Sequence, residues 1–137
     1  MLRPTLAVAT ALTLLSLIAP GFAAGLTRPS GTYTGHAGTF TLMVSGRSIE
    51  LAAFDFKCRG TTGRTSLNSI PIKRARGRWR FSIRTFGLAT YSDDVPDENA
   101  RVRFTGRFTT NGRRVTGNVV VTSPHCGSVT AMYSASR

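Results

Sequence analysis

Apolar and polar side chains alternate in short runs along most of this 137-residue chain, most clearly between residues 101 and 121. That stretch reads RVRFTGRFTTNGRRVTGNVVV, with Asn111-Gly112 at its middle. Asn-Gly is the strongest short hairpin signal, because both residues accept the positive φ of a type I′ turn. Folding about it pairs Phe108 with Val115, Phe104 with Val119 and Val102 with Val121, so the large apolar side chains share one face. Arg101, Arg103, Arg107 and Arg114 fall on the other. A register that sorts both strands in this way predicts a half-buried antiparallel ladder. It also sets Gly106 opposite Gly117 on the inward face. Paired strand glycines mark a bend or the close approach of a bulky group; the single tryptophan, Trp79, is the expected occupant of the gap, with a simple sheet bend as the alternative.

The rest of the chain obeys the same grammar. Thr32-Tyr33-Thr34 reads as a first short strand. Phe40, Leu42 and Val44 alternate with polar residues up to Ser45-Gly46-Arg47-Ser48, where a type II′ turn pairs Val44 with Ile49, Leu42 with Leu51 and Phe40 with Ala53. After Ala53 the apolar phase moves to Phe54, Phe56 and Cys58, which predicts a bulge or a crossing between sheets. Residues 59–66 read as a turn-rich loop. Ile70 and Ile72 flank Pro71, a residue confined to edge strands. Beyond a turn at 74–77, Trp79, Phe81 and Ile83 share one side while Arg78, Arg80 and Arg84 share the other. Pairing Ile72 with Trp79 would set Lys73 against Arg78. Residues 92–100 form an acidic loop holding Asp93, Asp94, Asp97 and Glu98, and Val129, Ala131 and Tyr133 alternate in a closing strand. No sustained helical period appears after the first two dozen residues. The expectation is an all-β domain, an antiparallel β-sandwich or squat barrel of about eight strands.

Residues 1–24 stand apart. Arg3, an apolar run from Leu6 to Ala19 and the exit Pro20-Gly21-Phe22-Ala23-Ala24-Gly25 have the form of a signal peptide, leaving residues 25–137 as a single all-β domain. The apolar run falls short of the roughly 20 residues of a membrane span. The expected destination is secreted, periplasmic or cell-envelope. An exported chain meets an oxidising compartment, where two cysteines, Cys58 and Cys126, suggest a disulfide. A metal site would want more ligands at closer spacing.

Charge changes the picture further. Eighteen basic residues face six acidic ones, a formal net charge of +12 that falls to +11 if Arg3 leaves with the leader, and sixteen of the eighteen are arginine. Arginine suits bidentate contact with phosphate and carboxylate. Strand alternation turns Arg78, Arg80 and Arg84 into one row and Arg101, Arg103, Arg107 and Arg114 into another. These seven are the candidate polyanion-binding residues. The expected partners are anionic envelope polymers such as teichoic acids or lipopolysaccharide, acidic polysaccharides, or extracellular nucleic acid. The alternatives are a structural or interaction module with a solvated basic surface and, further off, a small exported enzyme. No catalytic, metal or cofactor residue is expected, since His36 and His125 lie in no nucleophile, metal or phosphate-loop motif. His125 beside Cys126 would matter only with a free thiol. The acidic loop has hard ligands for calcium but lacks the spacing and glycine of an EF-hand, and reads better as a solvated loop or an internal partner for arginine.

Taken in order, Gly31-x-Tyr33-x-Gly35, Cys58 after a long strand, Trp79-Arg80-Phe81, Phe104-Thr105-Gly106-Arg107-Phe108, Val115-Thr116-Gly117, Cys126-Gly127-Ser128 and Tyr133-Ser134-Ala135 resemble a family of small exported bacterial β-domains of unassigned function. The resemblance spans nearly the whole of residues 25–137. It implies a β-sandwich or squat barrel with the two cysteines paired, and no activity, ligand or catalytic residue.

Overall fold

A computed structural model of the protein describes residues 25–35 and 39–137. The expected signal peptide and His36 lie outside the described residues. The strands are β1 (Gly31–Gly35), β2 (Phe40–Ser45), β3 (Ser48–Cys58), β4 (Thr61–Leu67), β5 (Ile70–Pro71), β6 (Lys73–Ala75), β7 (Arg78–Tyr91), β8 (Glu98–Phe108), β9 (Arg114–Ser123) and β10 (Gly127–Ser136). Eight of them pair with their neighbours in chain order, β1 to β4 and then β7 to β10, and β10 returns to β1. The sheet therefore closes as an up-and-down antiparallel barrel, which removes its edges. β5 and β6 are short additions that pair with β3 and β7. Pro71 occupies one of these edge pieces, where its missing N–H breaks no ladder.

The β8–β9 ladder has the register its alternation predicts, with Phe108, Gly106, Phe104 and Val102 opposite Val115, Gly117, Val119 and Val121. Its turn differs. Gly112 has φ 68° while Asn111 keeps an ordinary negative φ, so the connection is a wider loop and not a type I′ turn on Asn111-Gly112. The Thr109 hydroxyl accepts from the Arg114 amide at 3.1 Å, and Asn111 Oδ1 accepts from the Arg113 amide at 3.1 Å. These side-chain bonds satisfy the loop backbone that a tight turn would have satisfied itself.

Three sequence readings need correction. In β3 the phase slips earlier than expected: Val44 pairs with Ile49, but Leu42 pairs with Ala52 and Phe40 with Phe54, across a bulge that holds Glu50. The extra residue restores Ala52, Phe54, Phe56 and Cys58 to the inward face after Ile49. Residues 61–66, read within the turn-rich loop 59–66, belong to strand β4. Cys58 pairs with Thr61 across Arg59-Gly60, both at positive φ, and Thr61, Gly63, Thr65 and Leu67 face inward. In the β6–β7 hairpin Ala75 pairs with Arg78 around Arg76-Gly77, again both at positive φ, so Arg74 lies opposite Trp79 and Lys73 opposite Arg80.

Inward side chains fill the barrel, as an eight-stranded barrel allows. Phe104 is its centre: the ring is fully buried, with Phe81 at 4.7 Å, Tyr133 at 5.4 Å, Phe54 at 5.7 Å and Phe40 at 6.1 Å between centroids. Both ends are covered. In an up-and-down barrel alternate turns share an end, which puts the β3–β4, β7–β8 and β9–β10 turns together. Cys58 and Cys126 are bonded across that end, with Cα atoms 5.5 Å apart, and tie two turns on opposite sides of the ring. At the other end Pro29 is buried, the Thr27 amide donates to Thr110 O at 2.9 Å, and the Tyr33 hydroxyl donates to the Gly112 carbonyl.

Candidate functional site

The outward faces of β7, β8 and β9 carry all seven arginines singled out in the sequence. Arg80 lies directly opposite Arg107, Arg84 opposite Arg103, and Arg101 opposite Phe86, with its guanidinium carbon 6.0 Å from that ring's centroid. Arg78 stands two residues before Arg80 on the same side, and Arg114 two residues before Thr116, which faces Arg107. β6 extends the row: Lys73 opposite Arg80 opposite Arg107 places three cations abreast on adjacent strands. Strands in a sheet are about 4.8 Å apart, so these charges repel at short range. Among the described residues the oppositely charged contacts are the Arg64–Asp55 ion pair at 2.9 Å and the approach of His125 Nε2 to Asp93 at 4.0 Å, an ion pair only when the imidazole is protonated. Neither involves this wall.

The wall is hollowed where Gly106 and Gly117 meet. Their missing side chains would point inward, where a Cβ on Gly106 would overlap the Tyr133 hydroxyl and the Phe81 ring, and one on Gly117 would overlap the Thr105 carbonyl. The expected gap is therefore real, but Phe81 and Tyr133 fill it and Trp79 does not. Phe81 sits directly opposite Gly106 and Tyr133 directly opposite Gly117, while Trp79 is buried in the core two residues before Phe81. The Tyr133 hydroxyl donates to Thr105 O at 2.8 Å, and burial pushes it well above the usual tyrosine range. Phe56 stands in the same relation to Gly63, its partner across β3 and β4. Aromatic rings laid over glycine let the wall close down on the core.

The outer face of the same strands carries a groove of about 1070 Å³. Gly106, Gly117 and the polar side chains of Thr105, Thr116 and Asn118 form its floor. Lys73, Arg76, Arg80 and Arg107 supply its charge, and Met132, 86% exposed, stands on the far side. Arg80 is held in place by donating its Nε–H to Ala75 O at 3.1 Å. Lys73 and Arg76 share the basic β6–β7 hairpin with Arg80 in the sequence, although neither is among the seven candidates; the register fixed by Arg76-Gly77 sets Lys73 against Arg80 and not against Arg78. Thr116 and Asn118 were legible as outward positions of the β8–β9 hairpin, but neutral polar residues gave no signal of a site.

The covered end of the barrel beside the disulfide is acidic instead. Glu98 accepts from the Tyr91 hydroxyl at 2.6 Å and the His125 amide at 3.1 Å, and the tyrosine's hydrogen bond foremost holds its carboxyl below the usual carboxylate range. Ser123 Oγ lies 3.0 Å from the Tyr91 hydroxyl and accepts from the Cys126 amide at 3.1 Å. Glu98 thus belongs to β8, and the loop shortens to 92–97. Cys126 is in the disulfide and is no thiol for His125 to activate. Among the described residues no three His, Cys, Asp or Glu side chains converge as metal ligands. The four carboxylates Asp93, Asp94, Asp97 and Glu98 gather at the disulfide end, where Lys57 and Arg59 also lie, and the Arg47, Arg76 and Arg113 turns are at the other end, with Glu50 near Arg47. No family model, curated protein or solved structure matches this chain.

Proposed function

We propose that this is an exported, non-enzymatic β-barrel of the cell envelope or extracellular space that binds polyanions through the basic wall of β7, β8 and β9. One observation carries the reading: Lys73, Arg80 and Arg107 stand abreast, as do Arg84 and Arg103, with no carboxylate in ion-pair range among the described residues. Like charges directly opposite in a ladder destabilise it by about 0.2–1 kcal/mol per pair. A bound polyanion relieves that repulsion. The filled interior and covered ends leave the outer wall as the surface on offer. The disulfide and the leader-like first 24 residues support an oxidising compartment.

Binding to an envelope polymer or DNA, measured for residues 25–137 over a salt series, tests the proposal. If charge dominates, affinity falls steeply with salt, by about 0.7–0.9 log units per log unit of salt for each phosphate neutralised. Replacing Arg101, Arg103 and Arg107 together flattens that slope by about 2 and leaves the fold intact, because all three side chains face outward. Failure to bind any polyanion at low salt overturns the proposal.

A further inference from the structure

We infer that the groove over Gly106 and Gly117 is the seat of one class of polyanion, an acidic polysaccharide chain; this rests on the polyanion reading above. Four cations edge the groove, and among the described residues none has a carboxylate within ion-pair distance. Among the described residues Arg80 spends only its Nε–H on the protein, on Ala75 O, which fixes the side chain and leaves its terminal nitrogens for a ligand. These groups recognise acid substituents. The floor recognises something else. Thr116 and Asn118 present hydroxyl and amide groups that both donate and accept, and Thr105, whose hydroxyl donates to the Asn118 carbonyl at 3.5 Å, adds an acceptor. A hydroxyl-bearing ring polymer uses such a floor.

A single-stranded nucleic acid wants more than this floor. Sequence-tolerant binding of single strands depends on exposed aromatic platforms for base stacking. The two rings at this groove, Phe81 and Tyr133, are 5% and 9% exposed and are committed to covering the glycines from within. Phe86, 67% exposed, does not line the groove. The groove volume, about 1070 Å³, stands at the top of the range of about 300–1,000 Å³ for small-molecule sites. That suits several linked sugars better than a single anion. Acid groups would sit on the row of Lys73, Arg80 and Arg107, and ring hydroxyls on Thr116 and Asn118.

The test separates floor from charge. Affinities of residues 25–137 for a polyuronate, a sulfated polysaccharide, DNA and polyphosphate are measured at fixed and varied salt. The variants are Thr116→Val with Asn118→Ala, which keeps the charge, and Arg84→Gln with Arg103→Gln, which lies outside the groove. The floor variant is expected to weaken a glycan about tenfold, as loss of two neutral hydrogen bonds implies, with an unchanged salt slope and unchanged DNA binding. The arginine variant is expected to weaken all four polymers. Amide shifts of Gly106 and Gly117 on titration with polyuronate locate the site without any substitution. If the floor variant binds glycans like the parent and the two glycine amides stay still, the inference fails while the polyanion reading survives. If no polymer binds at low salt, both fail.

Discussion

The Tyr133 hydroxyl reaches from β10 across β9 to the Thr105 carbonyl on β8, at 2.8 Å. Gly117, directly opposite Tyr133, makes this possible by leaving the ring a clear path. Gly117→Ala puts a Cβ against the Thr105 carbonyl, which is backbone and cannot rotate away. We expect a loss of at least about 1–3 kcal/mol, the usual range for overpacking. Tyr133→Phe keeps the ring and removes the bond, at about 1 kcal/mol. Urea unfolding that ranks the two variants in the opposite order contradicts this account of the groove floor.

Cys126→Ser releases a staple between turns separated by 68 residues. In the chain-entropy model a closure of that length contributes about 4 kcal/mol. Thermal unfolding of the variant, and of the parent with and without reductant, reads the loss directly. Equal stability of the two would place the barrel's stability wholly in its core.

Arg103→Thr should stabilise the barrel and weaken its binding. It removes a charge directly opposite Arg84 and adds a β-branched residue to a strand. We expect a gain of roughly 0.2–1 kcal/mol at low salt that disappears at high salt. Destabilisation by Arg103→Thr at low salt would show that the arginine row is not under repulsion.

Glu98 makes stability pH-dependent. The Tyr91 hydroxyl, with the His125 amide, lowers its folded-state pKa below the unfolded value. The folded state is therefore favoured while Glu98 is ionised. That contribution is complete above the ordinary carboxylate range and is lost as pH falls through the lowered folded value. Glu98→Gln is expected to make acid unfolding less steep over this window, as followed by circular dichroism. An unchanged acid limb would remove Glu98 from the linkage.

Period-two alternation made the β8–β9 hairpin legible residue by residue, because a slip of one position there would expose Phe104 and Phe108. It failed where side chains were small. β4 presents Thr61, Gly63 and Thr65 to the core, and these read as a loop because their apolar bulk is supplied by Phe56 from the next strand. Phe81 could not be matched to Gly106 from sequence, since the length of the 92–97 loop left the β7–β8 register free. Trp79 was the obvious large side chain and lay one inward position too early. The groove needed both facts, the register and the aromatic pair over the glycines. Its charge was visible in the sequence, but its shape was not.

The ring closes through its first and last strands, β1 and β10, whose ladder holds the register Thr34 to Ser136 and Gly35 to Ala135. A growing chain cannot close this barrel until β10 is available to β1, because without that pairing the sheet is open with two bare edges. Contacts between the chain's extremities are also the slowest to form, since loop closure must precede them. Such an order of events lets local pairs such as the β8–β9 hairpin form first and leaves the β1–β10 seam as the last ladder to close.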